Sequence, residues 1–256
     1  AGIAATASEK MTKGFGPLLP GFININLNDH EAIKTTVSEK TAAILIEPIQ
    51  GEGGIRVLSE AFLKEIREIC DEKNILLILD EVQCGVGRTG KLFAHEWVEI
   101  EPDIMMVAKG IGGGFPLGAV LAKENAASGM TAGTHGSTYG GNPLGCSIGL
   151  KVMDIISDPN FLYDVNHKAK LFHDGLLELL RKNTSIFEEV RGKGLMLGLK
   201  CKVKNIDVVN AGYSNKLLTV PAGDNVVRLL PPLTISDKDI NEALNKLDGV
   251  MTALSQ

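Results

Sequence analysis

The chain has 256 residues, and 26 Lys and Arg side chains against 31 Asp and Glu side chains give it a formal net charge of −5. Its content of hydrophobic residues (44%) and charged residues (22%) is close to the globular average, which excludes a disordered or collagen-like chain. The acidic balance argues against a nucleic-acid-binding protein, and the apolar runs are too short to cross a membrane.

Three apolar runs in the first half of the chain predict strands that are buried on both faces. They cover residues 42–46, 75–79 and 104–108. Between the first two runs, apolar residues at helical spacing follow Ser59, a favourable N-cap, and predict a helix that ends at Lys73. A strand, a helix and a strand in succession form a βαβ unit, so we predict an α/β fold with a mainly parallel sheet flanked by helices.

The second half of the chain mixes helical and strand-like patterns. Residues 117–122 predict a short strand, residues 142–182 a helical segment broken near Asp158 and Pro159, and residues 236–254 a closing helix. Strand-like stretches cover residues 187–191, 195–200, 217–220 and 226–230. We therefore predict two domains, with a large α/β domain over residues 1–157 and a smaller α+β domain over residues 158–256.

A glycine-rich segment at residues 85–90 matches the G-x-G-x-x-G pattern of dinucleotide sites. Five residues, including two acidic ones, separate it from the preceding strand, and Leu92 takes the position where a nucleotide-binding P-loop needs Ser or Thr. A surface loop with flexible glycines is the better interpretation.

The cysteines and histidines give no support to a metal site. No Cys-x-x-Cys pair occurs among the four cysteines, and the five histidines are scattered without ligand spacing. We predict buried, inert thiols in a reducing intracellular compartment, and no metal.

Polar residues follow the ends of the three predicted strands, where ligands bind in open α/β sheets. Glu47 and Glu52 follow the first strand, Asp80 and Gln83 the second, and Lys109 the third. A lysine amine with a nearby aspartate for a ring nitrogen suits pyridoxal phosphate (PLP). Taken alone, each residue also has a purely structural explanation. Lysine often ends a strand in solvent, and aspartate often caps a helix.

The sequence around these residues resembles class III aminotransferases from about Phe15 to the C-terminus. The matching segments are EPIQGEGG at 47–54, LDEVQCGVGRTG at 79–90, PDI at 102–104, AKGIGGGFP at 108–116, THGSTYGGNP at 134–143 and VRLLPPL at 227–233. The segments around Thr138 and Arg228 are similar to the acetylornithine and ornithine branch of that family, and more so to its acetylornithine members.

The resemblance implies a type I PLP-dependent transferase fold and specific cofactor contacts. Lys109 would bind PLP covalently and move a proton during catalysis, and Asp80 would pair with the pyridine nitrogen. Val82 would pack on one face of the ring, and Gln83 would hydrogen-bond its phenolic oxygen. Glu47 would support the structure of the site.

The resemblance also implies substrate contacts and a homodimer with shared active sites. Ser137 and Thr138 would reach the phosphate of the cofactor in the partner subunit. Arg228 would bind the α-carboxylate of glutamate or 2-oxoglutarate with its guanidinium fork. Glu52 would pair with Arg228 when the amino donor lacks that carboxylate.

These implications lead to an expected activity, which is transfer of the terminal amino group of N-acetylornithine to 2-oxoglutarate in the cytoplasm. Ornithine, 4-aminobutyrate and succinyldiaminopimelate are alternative donors, and an inactive fragment that serves in dimerisation is the alternative outside catalysis. The start at Ala1 and the absence of roughly the first third of a family chain lead us to expect an incomplete large domain, produced by truncation or cleavage.

Overall fold

The computed structural model describes residues 1–254 of the protein. Its strands are β1 Ala43–Ile46, β2 Ile49–Gln50, β3 Arg56–Val57, β4 Leu76–Asp80, β5 Ile104–Val107, β6 Ala119–Ala122, β7 Phe187–Lys193, β8 Met196–Cys201, β9 Val220–Ala222 and β10 Val226–Leu229. Its α-helices are α1 Gly2–Ala5, α2 Glu9–Thr12, α3 His30–Thr36, α4 Glu60–Lys73, α5 Glu124–Ala127, α6 Pro143–Ile156, α7 Pro159–Lys182, α8 Asn205–Ser214 and α9 Asp237–Leu254. Short 3₁₀ turns cover Ala94–Trp97 and Lys109–Gly112.

The first sheet has the strand order β1-β4-β5-β6. Strands β1, β4 and β5 are parallel, and β6 is antiparallel to β5 at one edge. Helix α4 begins where the Ser59 side chain accepts a hydrogen bond from the Phe62 N–H, and it packs on this sheet. The βαβ unit and the mainly parallel sheet are therefore confirmed.

The prediction that the first three strands are buried on both faces is wrong. In β4, Leu77 and Leu79 are fully buried with Phe62 and Ile66 of α4, whereas Leu76 is only half-buried. In β1, which forms the other edge, Leu45 is exposed. The difference arises because α4 covers one face, while the described residues leave the other face of β1 and β4 partly open.

The second sheet is antiparallel, with the strand order β7-β8-β10-β9. Helices α7, α8 and α9 pack against one another and against this sheet around a core that includes Phe172, Leu176, Leu199 and Ile240. The predicted α+β character of this half is confirmed. Strand β9 begins later than expected, because the Leu217 N–H is still bonded to the carbonyl of Gly212 at the end of α8.

Between the sheets, β2 and β3 form a short antiparallel hairpin. A small apolar cluster joins the hairpin to both sheets through Ile49, Ile55, Cys84, Met196 and Val226, all of which are buried. The hairpin loop carries Glu52, so this cluster fixes a site residue relative to both sheets.

The glycine-rich segment 85–90 is buried and not a surface loop, which corrects that prediction. The Arg88 guanidinium donates to the carbonyls of Leu195 (3.1 Å) and Pro231 (2.6 Å), and the Leu195 N–H donates back to the Arg88 carbonyl (3.0 Å). Burial lowers the pKa of Arg88 to about 10. Thr89 is fully buried, and Gly194 packs so closely on its backbone that a Cβ would lie 2.4 Å away. The glycines thus allow close contact between the two halves of the chain.

The prediction of buried thiols holds for three cysteines and is wrong for Cys146. Cys70, Cys84 and Cys201 are buried, and burial raises the pKa of Cys70 and of Cys201 to about 11. Cys146 is exposed because it lies on a face of α6 that no other described residue covers.

Residues 1–254 hold neither a helix fit to span a membrane nor a cluster of metal ligands. Within this range no helix combines the length and apolar character that a membrane span requires. The same range holds no cluster of three or more His, Cys, Asp or Glu side chains arranged for a metal ion.

We predict that the fold loses stability in acid because of Asp224, which lies in the turn between β9 and β10. Hydrogen bonds from Lys200 and Arg191 lower the pKa of Asp224 to about 2, below the value of about 3.9 for an unfolded chain. The charged carboxylate therefore stabilises the fold above about pH 4, and this stabilisation is lost as the pH falls from about 4 to about 2. We expect Asp224→Asn to lower the free energy of unfolding at pH 7 by roughly 1–2 kcal/mol, after allowance for its 26% side-chain exposure.

Urea unfolding of both proteins at pH 7 and at pH 2.5 checks this prediction. The difference between wild type and Asp224→Asn should be large at pH 7 and much smaller at pH 2.5. Asp174→Asn, which removes an exposed partner of Lys170, is the matched control and should differ little from wild type. An Asp224 effect that is equal at both pH values would contradict the assignment.

Candidate functional site

The site lies at the carboxyl ends of the adjacent parallel strands β1, β4 and β5. Glu47 directly follows β1, Asp80 is the last residue of β4, and Lys109 lies two residues after β5. Because these strands are neighbours in the order β1-β4-β5, they carry the three side chains to one edge of the sheet. The convergence expected from the strand ends is present in the structure.

The pKa of the Glu47 carboxyl group depends on the charged residues around it. Burial raises the pKa of Glu47, and the negative charge of Asp80 adds to that effect. The Gly51 N–H and the positive charge of Lys109 act in the opposite direction. Glu47 therefore lies within electrostatic range of both residues.

The Asp80 carboxylate is held by the loop that follows it. Its Oδ1 accepts a hydrogen bond from the Val82 N–H at 2.9 Å, while the residue as a whole is half-buried. This contact orients the carboxylate and leaves its second oxygen as an acceptor for a ligand.

Lys109 opens the 3₁₀ turn Lys109–Gly112 in a left-handed conformation, with φ 47°. Non-glycine residues seldom adopt this conformation, and Lys109 is one of nine that do so within residues 1–254. Within residues 1–254, the exposed Nζ makes no hydrogen bond or ion pair. A primary amine without a partner is thus available at this edge.

The guanidinium of Arg228 lies at the centre of a polar group beside this edge. Arg228 is buried on β10, and its Nη1 donates to Glu52 Oε1 and to Gln83 Oε1, the latter at 3.2 Å. The hydrogen bond from Arg228 lowers the pKa of Glu52, and a hydrogen bond from Gln83 adds to the effect. Lys109 also acts on Glu52 electrostatically, which connects this group to the strand ends.

One polar atom of this group has no partner. Arg228 Nε is buried and makes no hydrogen bond among the described residues. An unpaired buried donor is costly, and a bound carboxylate could satisfy it if the guanidinium turned from Glu52.

Ser137 and Thr138 lie in the connection between α5 and α6. Both are exposed, in a segment without regular structure before α6, and Ser137 Oγ accepts a hydrogen bond from the Gly140 N–H at 2.9 Å. Within residues 1–254, no hydrogen bond or ion pair joins either side chain to Asp80, Lys109 or Arg228.

Sequence reasoning did not single out Glu81, which is fully buried behind the site. Its carboxylate accepts hydrogen bonds from the backbone N–H groups of Ala94 (2.5 Å) and His95 (2.9 Å), and it contacts His95 Nδ1 at 2.7 Å. Glu81 thereby ties the end of β4 to the turn Ala94–Trp97. Its position directly after Asp80 was the available signal, because side chains alternate along a strand and the next one would point inward.

Comparison with known proteins agrees with this arrangement. The family model described as aminotransferase class-III matches residues 1–251. Acetylornithine aminotransferase of Rhodobacter capsulatus is 63% identical over 254 residues, which cover 99% of this chain and 65% of the relative. The protein of the same name from Mesorhizobium japonicum is 54% identical, with 96% of this chain and 61% of the relative covered.

Solved structures show the same fold. The ornithine aminotransferase of Toxoplasma gondii superposes with a TM-score of 0.94 at 32% identity and covers 99% of this chain and 61% of its own. The N-acetylornithine aminotransferase of Stenotrophomonas maltophilia gives a TM-score of 0.84 at 36% identity, with coverage of 91% and 63%.

The chain thus spans 61 to 65% of the length of these two curated relatives. The predicted fold class and family are confirmed. With its strand-end residues, its buried arginine and a family match over nearly all of its length, the chain belongs to the class III aminotransferases.

Proposed function

We propose that the protein containing this chain is a PLP-dependent aminotransferase that moves the terminal amino group of N-acetylornithine to 2-oxoglutarate, giving glutamate and the semialdehyde. The observation that carries the proposal is the convergence of Asp80 and Lys109 at neighbouring strand ends, beside the Glu52–Arg228 pair. The 63% identity to a protein named acetylornithine aminotransferase favours this donor over ornithine, 4-aminobutyrate or succinyldiaminopimelate.

The residues at the strand ends suit PLP. A free amine, an oriented carboxylate with one open oxygen, and a side-chain amide are the groups that the cofactor needs at its aldehyde, ring nitrogen and ring oxygen. A Toxoplasma ornithine aminotransferase structure of similar fold contains PLP in partial occupancy at its active site. When bound, PLP supplies an aldehyde that accepts the amino group and a ring that withdraws electrons from the substrate carbon.

The roles of the individual residues follow from their chemistry. Lys109 Nζ would hold PLP covalently and would then carry a proton from the substrate carbon that bears the amino group to the cofactor carbon that was the aldehyde. The Asp80 carboxylate, oriented by the Val82 N–H, would keep a proton on the ring nitrogen. The Val82 side chain would cover one ring face, and the Gln83 amide would donate to the ring oxygen.

The two half-reactions need different substrate contacts. The buried Arg228 guanidinium would bind the α-carboxylate of glutamate or 2-oxoglutarate through two parallel hydrogen bonds. Glu52, whose side chain is 75% exposed, would neutralise Arg228 while N-acetylornithine is bound. The ion pair would therefore open and close once in each catalytic cycle.

We further propose a homodimer in which Ser137 and Thr138 bind the cofactor phosphate of the partner subunit. Within residues 1–254 both side chains are exposed and make no hydrogen bond to Asp80 or Lys109, which supports this arrangement, as do the exposed Val120 on β6 and Leu150 on α6. A domain boundary near residue 157 would separate α6, which packs on the Lys109–Gly112 turn, from α7, which packs on α9.

Four free cysteines support a cytoplasmic location, since disulfides are rare there.

The proposal is tested by supplying PLP, N-acetylornithine and 2-oxoglutarate to the protein that contains this chain and measuring glutamate. We expect glutamate formation with N-acetylornithine to exceed that with ornithine or 4-aminobutyrate. Absence of both glutamate and lysine-bound PLP after borohydride reduction would favour the alternative of a non-catalytic dimerisation piece.

Replacing Glu52 by alanine should raise the use of glutamate as donor. The change frees the Arg228 guanidinium, and an ion pair with one exposed partner is worth up to about 1 kcal/mol, so we expect kcat/KM for glutamate relative to N-acetylornithine to rise roughly fivefold. Steady-state rates with each donor measure this ratio. Glu52→Gln, which keeps the size without the charge, should give a smaller change, and an unaltered ratio in both variants would count against the ion-pair switch.

A further inference from the structure

The turn between β9 and β10 lies directly on the loop that carries Glu52. The Gly223 N–H donates to the Glu52 carbonyl at 2.8 Å. Gly54, with φ 109°, approaches so closely that a Cβ at this position would lie 2.6 Å from the Gly223 carbonyl oxygen. Backbone contacts this close leave the Glu52 loop little freedom to move relative to the turn.

Hydrogen bonds of Asp224 link the same turn to the second sheet and, through Arg191, to the Glu52 loop. Its carboxylate accepts hydrogen bonds from Arg191 Nη1 (2.6 Å) and from Lys200 Nζ (2.5 Å). Arg191 Nη1 also donates to the Gly54 carbonyl at 3.3 Å. One network of charged hydrogen bonds therefore joins β7, β8, the turn and the Glu52 loop.

The turn also leads directly into β10, which carries Arg228. Arg228 is paired in register with Gly198 of β8 and Val220 of β9, so its backbone is fixed on both sides. A single turn thus contacts the backbone of Glu52 and determines where the strand with Arg228 begins.

We propose that the Gly223–Asp224 turn is a positioning element for the Glu52–Arg228 ion pair and sets how readily Arg228 is released to bind a carboxylate. Neither residue of the turn contacts a substrate in this assignment, and both act through the pair. The inference rests on the proposed function for the identity of the carboxylate, because glutamate and 2-oxoglutarate are the ligands assigned to Arg228. A turn that served only to stabilise the sheet would affect unfolding without changing carboxylate affinity.

Gly223→Ala is the direct test. A Cβ at residue 223 would lie 3.0 Å from the Glu52 carbonyl oxygen and 3.2 Å from the Gly53 carbonyl carbon, so the Glu52 loop must move by a few tenths of an ångström. A displaced Glu52 holds Arg228 less firmly, and we expect the dissociation constant for glutarate, a dicarboxylate that cannot react, to fall about two- to threefold, which is less than the fall in Glu52→Ala. Calorimetric titration of the PLP-loaded protein measures this constant without turnover.

Asp224→Asn gives a second, independent perturbation of the same turn. It removes the charge that holds Arg191 and Lys200, leaves the volume unchanged, and should shift glutarate affinity in the same direction as Gly223→Ala. Gly129→Ala is the matched control, since the nearest atom that its Cβ would meet is the Ala126 carbonyl oxygen at 4.0 Å. This control should bind glutarate as wild type does.

The double variant Gly223→Ala with Glu52→Ala separates positioning from a structural role. If the turn acts through Glu52, glutarate affinity in the double variant should equal that of Glu52→Ala alone. Additive effects, or turn variants that lose stability while glutarate affinity stays at the wild-type value, would overturn the inference. Absence of any glutarate binding to wild type would also overturn it.

Failure of the proposed function has a different signature. In that case wild type forms no glutamate from N-acetylornithine, while the turn variants still change glutarate affinity through Glu52. The positioning role of the turn would then stand without the assigned reaction.

Discussion

Replacing Lys109 by alanine should lower kcat for amino transfer from N-acetylornithine to 2-oxoglutarate by about 10³-fold or more. The reason is the double role assigned to its amine, since positioned proton transfer alone contributes roughly 10²–10⁴-fold and the covalent attachment of PLP is lost as well. Borohydride reduction followed by mass spectrometry should label the peptide that contains Lys109 in wild type and leave this peptide unlabelled in the variant.

The fold should not suffer from this substitution. Lys109 is exposed and its Nζ makes no hydrogen bond or ion pair within residues 1–254, so the free energy of unfolding should change by no more than about 0.5 kcal/mol. Lys64→Ala on α4 removes another exposed lysine and should keep full activity. Activity of Lys109→Ala within tenfold of wild type would show that another amine binds the cofactor.

Arg228→Ala should impair the glutamate half-reaction about 10²-fold while leaving the N-acetylornithine half-reaction much less affected. Truncating a buried, hydrogen-bonded charge typically costs 2–5 kcal/mol, and only the glutamate side requires this guanidinium to bind the α-carboxylate. Single-turnover rates with each amino donor, followed by absorbance of the bound cofactor, separate the two halves.

Arg228→Lys provides the matched comparison for this prediction. Lysine keeps the positive charge but lacks the planar fork, so its glutamate rate should lie between those of wild type and Arg228→Ala. An equal loss in both half-reactions would mean that Arg228 supports the structure of the site instead of binding one substrate.

The strand ends were predictable because short apolar runs determine both where a strand lies and where it stops. The runs at 75–79 and 104–108 predict Asp80 and Lys109 at one edge of the sheet, and both residues lie there in the structure. Burial was harder to predict, since whether Leu45 is covered depends on elements that pack over the sheet and leaves no mark in its own run.

Long-range polar contacts could not be predicted from local sequence patterns, and the Glu52–Arg228 pair was expected only from the family resemblance. Arg228 and Glu52 are 176 positions apart, and nothing in the local sequence of either residue indicates their hydrogen bond. The same holds for Arg88, because a glycine-rich segment with an arginine is typical of both exposed loops and tightly packed ones. Their contacts depend on how the two sheets come together, which local propensity does not encode.

The partly buried guanidinium of Arg88 has a consequence for how the protein unfolds. Its two carbonyl acceptors at Leu195 and Pro231 belong to the half of the chain that contains the second sheet, while its own backbone follows the first. Opening either half alone would break both of these hydrogen bonds and the backbone bond from Leu195 to Arg88, which makes half-unfolded forms unfavourable. Residues 1–254 should therefore melt as one cooperative unit, with equal calorimetric and van't Hoff enthalpies.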